Sequence, residues 1–149
     1  MADTHLISAA SCLRSARLFN LLAVGSTMTG VLLFILGHMI ADKKMAFMPI
    51  AMSLPPVAIW LAASIFVYAS IAHHPNLTVR HYNKWAGYRY YAVIGTLPVV
   101  PMFHDFIPGG WGTIATILLL TLIPWAVYDI WKAGKEDWQD MLVNLEDHR

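Results

Sequence analysis

His38 and His104 are the residues of this sequence best placed to do chemistry, because each closes a long apolar run. Imidazole titrates near neutral pH and ligates haem iron and transition metals. His104 stands beside Asp105 in the stretch FHDFIPGGWG, residues 103–112, just ahead of a Pro-Gly-Gly turn signal. If the runs ending at His38 and His104 are parallel helices on the diagonal of a bundle, their imidazoles can hold one b-type haem near one membrane face. Asp105 would then orient or charge-balance the site. His73 and His74 have no histidine opposite them in the last apolar run, so a second haem is not expected.

A second constellation overlaps the first. Met39, Met48 and Met102 lie close in sequence to the two histidines, with Met45 and Met52 nearby. Thioether and imidazole together form a soft ligand set that favours Cu(I). Met45, Met48 and Met52 share a helical face only if helix starts that early, and Pro49 interrupts the run. Methionine is also an ordinary apolar filler, and a helix-end histidine can simply meet water and headgroups. A chain without any cofactor is therefore equally compatible with these residues.

Arg89 and Asp129 fall inside apolar runs, at comparable depth from the same end. A charge within a bilayer is costly, so the two are expected to pair as a structural clamp rather than serve as a proton relay. Tyr68, with His38, His104 and Asp105, completes the polar groups available to an enzyme acting on a lipophilic substrate. No spacing among them singles out an acid–base pair.

Composition decides what must position these residues. Of the 149 residues 58% are hydrophobic and 13% charged, about half the charged share of a soluble domain, which points to a membrane protein. A net charge of +1, with no basic stripe carrying interleaved aromatics, argues against nucleic-acid binding. The single cysteine, Cys12, excludes an internal disulfide and any CxxC motif, and reads as a small apolar filler. Phosphate-binding glycine loops, HExxH helices and GxSxG elbows are missing from the sequence.

The predicted fold is an all-α membrane protein: an up-down bundle of four transmembrane helices, residues 18–40, 46–72, 85–103 and 111–131, in one domain covering 1–149. The first span is too long for a signal-peptide core and is expected to be retained. Eight of the ten Lys and Arg residues flank one end and only Lys43 and Lys44 the other, which puts both termini in the cytoplasm. Trp85, Tyr88, Tyr90, Tyr91 and Trp131 would form an aromatic belt at that end, and the Asn76-Leu77-Thr78 sequon would lie on the wrong face for glycosylation.

Ser26, Gly30 and Gly37 form a small-residue face on the first span, suited to close packing inside the bundle or against another subunit. Internal prolines in the later spans predict kinks. In the tail, 132–149, Trp138, Met141, Leu142 and Leu145 follow helical spacing with acidic residues opposite. The expectation is a short amphipathic helix docked on a partner protein rather than on anionic lipid.

These features favour a small accessory or anchor subunit of a membrane electron-transfer complex, holding one haem b through His38 and His104. The expected partners are the bilayer and either other membrane subunits or further copies of the chain. The alternatives are a stand-alone protein that handles or transports copper, and a small membrane enzyme with a lipophilic substrate.

Overall fold

The computed structural model describes residues 4–42, 45, 47–96, 106–108 and 110–144. A short strand β1 (Thr4–Ile7) leads into helix α1 (Ala9–Ile40). Helices α2 (Met48–Ala72), α3 (Leu77–Thr96) and α4 (Gly110–Ala133) follow, and strand β2 (Met141–Asn144) ends the described chain.

Helix α1 starts nine residues before its apolar run. Ser8 caps it, accepting from the Ser11 amide through Oγ. The early start is legible afterwards in the buried set Cys12, Ala16, Phe19, Asn20 and Ala23, which recurs at helical spacing across the boundary. Helix α3 likewise starts at Leu77, not near 85. The Asn76 side chain caps it by accepting from the Thr78 and Val79 amides at 2.9 and 3.1 Å. Its buried face, Val79, Tyr82, Asn83, Ala86, Gly87, Tyr90 and Val93, is an uninterrupted helical stripe. The sequon asparagine is thus spent on a helix cap.

Among the described residues three segments are long and apolar enough to cross a membrane: α1, α2 and Thr116–Ala133 of α4. Helix α3 is the exception, since Arg80, His81, Asn83, Lys84 and Arg89 dilute it; the expected continuation of that span through 97–103 lies outside the described residues. Helix α2 opens at Met48 with Pro49 in its first turn, where the missing N–H costs nothing. Met45 therefore precedes the helix, and the shared face expected for Met45, Met48 and Met52 does not form. Pro55 and Pro56 lie within α2 and Pro124 within α4, and each helix runs through its prolines.

Helix α1 packs against all three other helices, and α3 also touches α2 and α4. The closest approach is to α2. A Cβ added to Gly37 would lie 2.6 Å from Pro49 Cα, and one on Gly30 would lie 3.1 Å from Val57 Cγ2. The small-residue face is used, at these two positions, for packing inside the chain.

Phe19 organises the interior. Its ring meets Trp60, Tyr90, Tyr91 and Tyr68 edge-on, at centroid distances of 5.2, 5.8, 6.1 and 6.2 Å. Edge-to-face contacts let the positive ring edge meet the negative face, adding to what burial itself contributes. A second apolar cluster, nearer the termini, gathers Cys12, Ala16, Ile71, Val79, Tyr82 and Ala133.

The tail departs from expectation. Met141–Asn144 is not helical but pairs antiparallel with β1, Thr4 opposite Asn144 and Ile7 opposite Met141. The apolar spacing that suggested a helix is resolved instead with period two: Met141 and Val143 are half-buried while Leu142 is 72% exposed. A helix this short is marginal alone, whereas the extended tail gains a strand partner and several anchors. Asp140 Oδ1 accepts from the Ala9 amide at 2.7 Å, holding the start of α1.

The same segment completes the end of α4, whose last four carbonyls all find donors. Arg17 Nε donates to Ile130 O at 2.9 Å, and the Gly134 and Lys135 amides take Trp131 O and Lys132 O. Trp138 Nε1 donates to Ala133 O at 2.7 Å. The paired strands β1 and β2 are therefore clasped at one end of the helix assembly.

Candidate functional site

His38 sits in the last turn of α1 and is exposed, its ring edge-on to Phe34 at 4.7 Å. The neighbouring Gly37 faces α2, so His38 projects away from the α1–α2 contact. Met39 is 78% exposed and Met48 half-buried. His104, Asp105 and Met102 lie outside the described residues. Among the described residues no three His, Cys, Asp or Glu side chains converge as a metal site would require.

Arg89 on α3 and Asp129 on α4 form an ion pair, with side chains 19% and 12% exposed. Nearer the termini, Tyr82 donates its hydroxyl to Glu136 Oε1 at 2.7 Å. Burial and this hydrogen bond to a carboxylate raise the Tyr82 pKa well above its ordinary value. Cys12 is a free thiol, fully buried in the second apolar cluster.

Between α2 and α3 the interior holds polar atoms that sequence reading passed over. Ser64 Oγ donates to Leu61 O at 2.7 Å and lies 3.0 Å from the Tyr91 hydroxyl, so the tyrosine donates to the serine. Asn83 Nδ2 donates to Tyr68 O at 3.1 Å. Asn20 Nδ2, Trp60 Nε1, Asn83 Oδ1 and the Tyr90 hydroxyl are buried without a partner among the described residues. Each such group weakens the fold unless something satisfies it.

Two concavities border this interior. One, of about 380 Å³, opens between α1 and α2 and is almost wholly apolar; Gly25, Ser26, Trp60 and Ala63 line it. A Cβ on Gly25 would meet nothing within 4 Å. The other, of about 320 Å³, lies between the end of α2 and the start of α3, with Arg80, His81 and Lys84 in its wall. By sequence alone Arg80 and Lys84 serve only as orientation signals. Their signal as a site is the stripe Leu77, Arg80, His81, Lys84, Tyr88, one face of a helix once α3 is extended back to residue 77.

The chain is built to associate with a membrane. Large apolar side chains such as Ile59, Phe66 and Leu120 are 66–77% exposed along the long helices, a surface that only lipid or protein would cover. No protein-family model, curated protein or solved structure matches this chain.

Proposed function

We propose that this chain is a small anchor subunit of a membrane electron-transfer complex, with both termini on the cytoplasmic side and His38 as one axial ligand of a haem b. The observation that supports the reading best is the outward position of His38. An exposed imidazole on a membrane helix, beside close-packed Gly37, can ligate a haem that lies outside the α1–α2 contact. His104, the second ligand in this reading, falls in sequence between α3 and α4, outside the described residues.

Two features fit the same picture. The Phe19 ring cluster and the Arg89–Asp129 pair pack the interior among the described residues, as a scaffold would require. The Gly25–Ala63 groove offers a backbone-close surface to another membrane helix. The test is mild-detergent purification of the full chain from its own membrane, followed by an absorption spectrum and identification of whatever travels with it. A Soret band that disappears in His38→Ala, together with co-purifying subunits, is expected. A colourless chain that purifies alone would overturn the proposal. Copper content, compared between the native chain and Met48→Ala/His104→Ala, reads the metal-handling alternative in the same preparation.

A further inference from the structure

We infer that the cavity between α2 and α3 is a binding site for the phosphodiester headgroup of an anionic lipid. The inference requires only that the apolar helices lie in a membrane, and stands apart from the electron-transfer reading.

Charge is the first argument. Arg80 and Lys84 stand one turn apart on α3, with His81 between them, all lining the cavity. Neither α2 nor α3 contains a single Asp or Glu. The only acid bonded to α3 cations among the described residues is Asp129, which is spent on Arg89. The Lys84 ammonium instead lies over the Tyr88 ring, 5.5 Å from its centroid. Two cations that no acid among the described residues pairs, set on a walled concavity, form an anion site.

Depth is the second. The cavity begins where the apolar run of α2 ends, with Ala72 in its wall and His73 and His74 immediately beyond. Exposed Trp85 and Tyr88, on the same helix, have the amphipathic rings that settle at headgroup level. A phosphate at this height would meet the Arg80 and Lys84 heads while its acyl chains continued along the exposed apolar face of α2. Basic pockets between membrane helices hold anionic headgroups in this way.

The third argument is a buried acceptor. Asn83 is 1% exposed and lines the cavity, with Nδ2 held by Tyr68 O and Oδ1 unpartnered. A headgroup hydroxyl can donate to it, which favours a glycerol headgroup over a choline, which has no donor.

The full chain, reconstituted in nanodiscs of phosphatidylcholine with a minor share of phosphatidylglycerol, is released under native mass-spectrometry conditions and its retained lipids counted. Phosphatidylglycerol should be retained over phosphatidylcholine by ~10-fold or more. Arg80→Gln/Lys84→Gln should abolish the preference, while Lys132→Gln/Lys135→Gln, which removes equal charge at the same end, should keep it. Asn83 is left intact in both because of its structural bond. Circular dichroism checks that both variants keep native helicity, and Arg80→Lys, which keeps the charge, should retain most of the preference should the double variant misfold. No preference in the native chain, or equal loss in both double variants, overturns the inference. Displacement of the lipid by an equal concentration of inorganic phosphate would also overturn it, by assigning the site to free phosphate.

Discussion

The Arg89 guanidinium on α3 donates to the Asp129 carboxylate on α4, joining the most polar helix to an apolar one. Two mostly buried charges hold each other at small net benefit, because desolvation offsets most of their attraction. Removing one partner is a different matter. Asp129→Asn should destabilise the chain by about 3 kcal/mol, by leaving the guanidinium unpaired. The double variant Arg89→Met/Asp129→Leu should recover much of that loss. Unfolding in mixed dodecyl maltoside and sodium dodecyl sulfate micelles measures both, and equal destabilisation of the single and double variants would refute the account.

The α1–α2 contact predicts an ordered glycine series. Gly37→Ala must push against Pro49 backbone, Gly30→Ala against a movable Val57 methyl and the Ser53 carbonyl, and Gly25→Ala against nothing. The first should cost about 1–3 kcal/mol, the overpacking range, the second less. Gly25→Ala should be neutral or slightly stabilising, through a less flexible unfolded chain and better helix propensity. The same micelle titration ranks the three; a Gly25→Ala loss as large as that of Gly37→Ala would contradict the packing described.

The terminal clasp can be opened from either side. Trp138→Phe keeps a ring but removes the donor to Ala133 O, and Asp140→Ala removes the cap on Ala9. Each should cost about 1 kcal/mol. Amide hydrogen exchange should rise in β1, β2 and the first turn of α1, with Trp60 and Phe19 surroundings unchanged. Protection lost uniformly over the chain would show that the clasp is not a local unit.

Acid should loosen the turn between α2 and α3. His74 Nδ1 accepts from the Asn76 amide at 3.1 Å, which requires the neutral ring. Burial lowers its pKa from the ordinary 6.5, and the nearby Arg80 charge adds to this. The unfolded chain thus takes up the proton first. This contribution to stability is intact above about pH 6.5 and is lost as pH falls through the lower folded value. His74→Gln should flatten the pH dependence of unfolding below pH 6.5; an unchanged slope would reject the role of His74.

How much of this was legible beforehand differs by element. The long apolar runs of α1, α2 and α4 announce themselves because lipid accepts any apolar face, so hydropathy alone marks them. Helix α3 hid its first turns because its residues before Trp85 are polar, although the Asn76 cap and the Val79–Tyr82–Asn83–Ala86 spacing were there to be read. The cation cavity was illegible for the same reason. Arg80 and Lys84 reach a common face with Tyr68 only once α3 starts at Leu77 and turns back against α2.

The tail marks the boundary most clearly. Its apolar spacing satisfied a helix on paper, and nothing local could reveal that Thr4–Ile7, more than 130 residues away, would offer a strand partner. Sequence by itself determined which stretches belong in a membrane, where the glycines permit close approach, and that two charges lie at similar depth. Tertiary structure alone decided which groups are spent. It assigned Asn76 to a cap, Arg17 and Trp138 to the carbonyls of α4, and Asp129 to Arg89, and left Arg80 and Lys84 unpaired by any acid among the described residues. The reason is physical: local patterns fix transfer into lipid, which depends on composition, whereas pairing depends on which elements meet in space.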